Sequence, residues 1–333
     1  MSPICSRSSK SAYPSGLGRR SWTIVLGLTL ISGCASNAGG MLAKLESHDA
    51  EIELTEVPFH SQVTDQCGPA ALATVLNEAG IRVGPEELRS RIYIPGRQGS
   101  LQLEILATTR HYGRIPYTVD PDISAVMAEL QAGRPVLVLQ NLGVGIRPVW
   151  HYAVVIGYLP DRRQFVLRSG DQKRHLMSAR KFIRSWRRAT YWGVVALRPG
   201  DLPSHAVADR YLRSVAALET IGDTANAVTG YRAATRHWPR NPLAWLGLGN
   251  AAYAAGDLHG SRDAYQKLLA LNPEDAIALN NLSQVQADLG CRDAALATIS
   301  SALTSIDVGE PVYRYLRRTL AAIEQTDSQA SCL

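Results

Sequence analysis

Val57-Pro58-Phe59-His60-Ser61-Gln62-Val63-Thr64-Asp65-Gln66-Cys67-Gly68-Pro69-Ala70-Ala71-Leu72 is the stretch on which the reading of this chain turns. Its first half is irregular. From Gly68 to Ala79 the residues are apolar at helical spacing and end at Gly80. A cysteine therefore opens a helix, where unpaired backbone N–H groups and the positive end of the helix dipole favour a thiolate. The competing reading is a buried structural cysteine, the ordinary fate of that residue type.

A nucleophilic cysteine needs a base. His151 is the candidate, in Trp150-His151-Tyr152-Ala153-Val154-Val155-Ile156-Gly157-Tyr158, where a histidine opens an apolar strand that ends before Pro160-Asp161-Arg162. His48, His60, His111 and His175 lack this setting, and His205, His237 and His259 fall in the linker or beyond it. Around the pair, the sequence predicts helices over 68–79, 85–92, 101–112 (capped by Ser100) and 123–132 (capped by Asp122). Strand-like runs follow at 135–139, 152–158, 165–167 and 191–197. Helices first and an antiparallel sheet afterwards make an α+β arrangement.

Gln62, a short spacer, then Cys67-Gly68-Pro69-Ala70, with His151 ahead of Gly157-Tyr158, resembles the papain-like cysteine peptidases and most closely the C39-like family. The resemblance covers about residues 52–198 and implies acyl transfer. The Cys67 thiolate would attack the scissile carbonyl while the Gln62 amide and a backbone N–H near Cys67 hold the oxyanion. His151 would then protonate the leaving amine. In the family an Asp or Asn on the next strand orients the histidine. Here that strand reads Phe165-Val166-Leu167-Arg168-Ser169-Gly170-Asp171. Ser169 occupies the family's position. Asp171 could reach by a loop adjustment, and a backbone carbonyl or water would also serve. The best-known members cut double-glycine leaders and are fused to ABC exporters. No Gly-x-x-x-x-Gly-Lys-Ser/Thr occurs here, so that specificity is not carried over to this chain.

Downstream the chain repeats itself. Gly222, Gly256 and Gly290 are each 34 residues apart, and Tyr231/Tyr265 and Pro239/Pro273 keep the same interval. Trp245-Leu246-Gly247-Leu248-Gly249 with Ala252-Tyr253 resembles the first helix of a tetratricopeptide repeat. Repeats are expected at 207–240, 241–274 and 275–308, with a capping helix at about 311–325 and a polar tail within 309–333. In the third unit Ile299 replaces the tyrosine and Asp307 the proline. The expected fold class is thus an α+β papain-like cysteine peptidase domain, residues 52–200, followed by an all-α repeat solenoid.

Residues 1–33 read as an export signal. Arg7, Lys10, Arg19 and Arg20 precede an apolar run from Trp22 to Ile31 that is too short to span a bilayer. Ile31-Ser32-Gly33-Cys34 resembles the bacterial lipobox, which implies a lipid-acylated Cys34, with residues 34–51 as a tether. Ala35 after it suggests the outer membrane, with the chain facing the periplasm. Without residues 1–33 the net charge falls from +6 to +2, so the basic balance is no argument for nucleic acid. Residues 161–188 still hold ten Lys/Arg against Asp161 and Asp171, either a solvated face or a surface for anionic lipid or an acidic partner. No Cys/His spacing suits a metal, and no cofactor is implied. Cys291 and Cys332 could pair, leaving Cys67 as the odd thiol.

The partners expected are a peptide or protein substrate, a protein bound by the repeats, and the membrane through the lipid. The first functional reading is an envelope cysteine endopeptidase. The alternatives are a scaffold lipoprotein with a catalytically weak papain-like domain, or a hydrolase or transferase acting on other amides.

Overall fold

The computed structural model describes residues 36–61, 66–97, 99–144 and 147–325. The export signal, Cys34, Gln62 and Cys332 lie outside the described residues. The chain forms two compact units, one comprising the described part of Met1–Thr109 with Thr118–Ala196, the other Arg110–Tyr117 with Leu197–Leu333.

In chain order the elements up to residue 197 are α1 (Ser36–Leu45), β1 (Ile52–Glu53), α2 (Cys67–Glu78), α3 (Pro85–Ile92), β2 (Tyr93–Ile94), a short 3-10 turn (Pro95–Arg97) and β3 (Gly99–Ser100). There follow α4 (Gln102–His111), β4 (Ile115–Thr118), α5 (Ile123–Gln131), β5 (Val136–Asn141), β6 (Trp150–Leu159), β7 (Gln164–Ser169), β8 (Gln172–Ser178), α6 (Ala179–Arg187) and β9 (Gly193–Leu197). Within the first unit the antiparallel strands run β9-β5-β6-β7-β8. β1 adds to the far half of β6, with Ile52 opposite Tyr158 and Glu53 opposite Gly157. A Cβ at Gly157 would lie 2.3 Å from the Ile52 carbonyl, so only glycine lets β1 approach there. The position falls at a bulge in the β6–β7 pairing, which accounts for the Gly-Tyr that follows His151.

α2 packs on β6, β5 and β7, while α6 packs on β5, β8 and β7. Every residue from Tyr152 to Tyr158 is buried, as expected of a strand read as a continuous apolar run. Residues 68–76 of α2 are likewise all buried, a helix enclosed on all sides. Tyr158, Phe165, Phe182, Trp186 and Tyr191 make a chain of ring contacts at centroid spacings of 4.5 to 5.8 Å. Residues 36–45, read from sequence as part of a tether, instead form α1, whose Met41 and Leu45 are each only 2% exposed. α1 rests against α5 and α6.

The second unit carries three helical hairpins: α7 (Ala208–Glu219) with α8 (Thr224–His237), α9 (Pro242–Ala254) with α10 (Leu258–Leu271), and α11 (Ala276–Asp288) with α12 (Arg292–Ser305). α13 (Pro311–Glu324) covers the last of them through Leu316 and Ile323, packed with Leu279 and Ile299. Ile299 therefore fills with aliphatic volume what tyrosines fill in the earlier units. The period of 34 has a backbone origin. Gly222, Gly256 and Gly290, at the bend of each hairpin, have φ of 78°, 79° and 80°, a left-handed conformation that side chains disfavour. Asp223 and Asp257 then cap α8 and α10 by accepting from the N–H three residues on. Gly247 and Gly249 admit the rings of Tyr231 and Tyr265, since a Cβ would meet them at 2.3 and 2.5 Å. Cys291 is disulfide-bonded.

Replacing Gly256 with alanine forces a Cβ into the left-handed region, and a loss of about 1–2 kcal/mol is expected. Chemical denaturation of the repeat unit measures it, and an unchanged midpoint would contradict the backbone origin of the period.

Candidate active site

Cys67 is the first residue of α2, preceded by Gln66, which provides no side-chain cap, and no acid stands in the first turn. The helix end thus keeps its positive potential for a thiolate or an oxyanion. Gly68 has no room for a side chain. A Cβ there would lie 2.4 Å from Ser100 Oγ and 2.7 Å from Ser100 Cβ, so the β2–β3 hairpin closes directly on the first turn. The expected capping role of Ser100 is not observed. Its buried Oγ finds no hydrogen-bond partner among the described residues, and α4 begins at Gln102. Alanine at Gly68 must displace Ser100 or tilt α2. We expect a stability loss of about 1–3 kcal/mol with a larger proportional fall in Cys67 alkylation rate, read by mass spectrometry at matched folded fraction.

His151 is the second residue of β6 and pairs in register with Gln140 of β5. Its Nε2 lies 2.8 Å from Ser169 Oγ at the end of β7. Asp171, the acidic alternative from the sequence, does not take this place. β7 and β8 join in a two-residue turn, Gly170-Asp171, with Ser169 opposite Gln172 and Gly170 at φ 62°. Gly at the first central position suits a tight hairpin. The chain reverses before Asp171 can come alongside His151 and leaves it exposed in the turn.

The residue after His151 links the two halves of the site. Tyr152 donates its hydroxyl to Ser100 O at 3.2 Å and sets its ring edge-on to Trp192 at 5.9 Å. Its phenol is pushed up, first by burial and then by the Cys67 side chain nearby. Cys67 and His151 are therefore brought to the same end of β6. With Ser169 on Nε2, the other ring nitrogen, Nδ1, is the one left to exchange a proton with a thiol.

Other polar groups of this unit escaped the sequence reading. Arg168, counted there among ten cations of a basic stretch, is 4% exposed. Its Nε and Nη2 donate to Val57 O at 3.1 and 2.7 Å, Nη2 also to Thr55 O at 2.9 Å, and Nη1 to Lys173 O. Burial lowers its pKa, opposed by nearby Glu53. His60, two residues before Gln62, sets Nε2 2.8 Å from Asn77 Oδ1 on α2, and Asn77 Nδ2 donates to Ile81 O and Val83 O. His175 on β8 places Nδ1 2.7 Å from Gln172 Oε1, and its imidazole is pushed down by burial, then by Lys181 and His151. A lone arginine within the apolar run of β7 was the available signal for Arg168. No group of three or more His, Cys, Asp or Glu suited to a metal occurs among the described residues.

A serine holds an imidazole through a neutral hydrogen bond. Removing it in Ser169→Ala is expected to lower kcat/KM about five- to tenfold, the equivalent of about 1 kcal/mol. Ser169→Asp should instead place an anion beside the ring and favour the imidazolium that pairs with the thiolate. The alkaline limb of the kcat/KM profile is then expected to move up. A limb that stays in place would show that residue 169 does not act on His151.

Residues 54–194 match the family described as Peptidase C39 like family, and residues 212–269 and 248–307 match the tetratricopeptide repeat. Among solved structures, a protein from Bacillus anthracis described as a C39-like peptidase is 19% identical, with a TM-score of 0.40, 45% of this chain covered and 98% of that one. The peptidase domain of Streptococcus ComA, a bi-functional ABC transporter involved in a quorum sensing pathway, is 20% identical, with a TM-score of 0.35 and coverages of 43% and 98%. The Sgt2 tetratricopeptide domain from Aspergillus fumigatus is 17% identical, with a TM-score of 0.33 and coverages of 38% and 87%. Comparison with curated proteins returns no match. The chain thus carries a C39-like α+β domain followed by a tetratricopeptide-repeat solenoid.

Proposed function

We propose that the C39-like domain ahead of these repeats is a cysteine endopeptidase, anchored by an acylated Cys34 and facing the periplasm, whose repeats recruit the substrate or a partner. In the reaction, His151 draws the proton from Cys67 Sγ. The thiolate adds to the scissile carbonyl, and the oxyanion is held by the Gln62 amide and the Cys67 backbone N–H. The imidazolium then protonates the departing amine. Water attacks the thioester with His151 as base, releasing the acid and restoring the thiol.

The observation that supports this reading most is the pairing of His151 Nε2 with Ser169 Oγ at 2.8 Å, at the end of β6 where Cys67 opens α2. It fixes the ring and leaves Nδ1 for the thiol. The same observation favours a second reading, because a neutral serine stabilises imidazolium less than a carboxylate. A catalytically weak domain would then serve as a binding scaffold.

A peptide library and a thiol-directed activity probe, applied to the purified chain, to Cys67→Ala and to His151→Ala, separate the two. Cleavage together with probe labelling that needs both residues supports the peptidase. Labelling of Cys67 that persists undiminished without His151, with no peptide cut, supports the scaffold.

A further inference from the structure

The exposed side of α6 is cationic from end to end. Its buried residues are Ala179, Phe182, Ile183, Ser185 and Trp186. Arg180, Lys181, Arg184 and Arg187 face outward, followed by Arg188. These positions form one stripe along the helix, with like charges four residues apart at 180/184 and 184/188. Such pairs oppose helix formation, and two cations stand in a first turn where the dipole favours anions. No acid stands in that turn to offset them. Arg180 and Lys181 are therefore present against the local preference of the helix, while Arg184 and Arg187 in its last turn suit the dipole, in a chain whose charge without residues 1–33 is only +2.

The position of α6 says what the stripe meets. α1 packs against α6 and is fastened by buried Met41 and Leu45. α1 starts at Ser36, two residues beyond Cys34. Those two residues span at most about 7 Å, and the ten residues of α1 about 15 Å. An acyl chain on Cys34 would thus hold the stripe near the headgroups, where individually weak contacts act at high effective concentration.

We propose that α6 is a docking helix for anionic phospholipid headgroups of the membrane that carries the anchor, and that it fixes the orientation of the first unit on that surface. The inference rests on the reading of Cys34 as acylated. Lys181 and Arg184 lead it, with Arg187, which also lies near the Tyr191 phenol. Arg188 donates to Gly143 O, and Arg180 borders a cleft that also holds Glu46, Asp49 and Asp161.

The test uses the full chain with Cys34→Ser, so that binding owes nothing to an acyl group. It is sedimented with vesicles of phosphatidylcholine alone or of phosphatidylcholine and phosphatidylglycerol in equal parts. Binding is expected only to the anionic vesicles and should fall in high salt. At about fivefold per cation, K181Q/R184Q/R187Q should weaken it about a hundredfold, while R314Q/R317Q/R318Q on α13 should not. Unchanged circular dichroism of the α6 variant separates lost docking from lost folding. Equal binding to both vesicles, or undiminished binding by the α6 variant, overturns the proposal. So does an α6-dependent affinity for heparin or an acidic protein with none for anionic vesicles. Mass analysis of the wild-type N-terminus judges acylation separately, so failure of the anchor and failure of the docking helix give different results.

Discussion

His151→Ala is expected to slow peptide cleavage by about 10²- to 10⁴-fold, the range over which a positioned acid–base group acts. In the proposed mechanism the histidine has two tasks, on different atoms. Nε2 is engaged by Ser169 Oγ at 2.8 Å, and Nδ1 would take the thiol proton and return it to the leaving amine. The helix end at Cys67 survives the substitution, so part of the thiolate stabilisation survives as well. Alkylation of Cys67 by iodoacetamide should therefore fall most at pH 6, where imidazolium supports the thiolate, and approach the parent rate above the ordinary thiol pKa of about 8.5. An unchanged alkylation rate at pH 6 together with unchanged cleavage would remove His151 from the mechanism.

How far the site could be read in advance depended on whether a residue's role is local. Cys67 opening α2, Asp122 capping α5 through the Ser124 N–H, and the hairpin glycines of the repeats are set by neighbours within a turn, and their signals lie in adjacent letters. Ser169 against Asp171 was not of this kind. The choice depended on where the β7–β8 hairpin reverses, and β8, Gln172–Ser178, is too polar to announce itself as a strand. Four of its residues, Gln172, Lys173, Arg174 and Ser178, are exposed, as suits a strand at the edge of a sheet. α6 was missed for a related reason. Its cations fill the outward face so densely that the apolar stripe of Phe182, Ile183 and Trp186 reads as an interruption in a basic run. Ser100 shows the opposite error, a good local capping signal overridden by a hairpin that presses its hydroxyl against Gly68.

Arg168→Met should destabilise the first unit by about 1–3 kcal/mol, as leaving buried polar groups unpaired does. Methionine fills much of the volume but offers no donor. Val57 O, Thr55 O and Lys173 O then lose charge-assisted bonds, and a buried carbonyl left unpaired costs about 1–3 kcal/mol. Part of this is offset because a buried cation no longer has to be desolvated, although its attraction to Glu53, which keeps its bidentate pair with Arg174, is lost as well. Arg168→Lys retains charge but not the planar fork that reaches the carbonyls of Thr55, Val57 and Lys173, so it should recover only a fraction. The consequence for function follows from what the fork holds. It ties β7, one residue before Ser169, to the segment just upstream of His60 and Gln62. Loosening it should raise amide exchange over residues 54–60 and lower cleavage more than the folded fraction alone explains. Hydrogen exchange read by mass spectrometry, beside chemical denaturation, measures both. A denaturation midpoint equal to the parent's, with residues 54–60 as protected as before, would reduce Arg168 to one more surface cation.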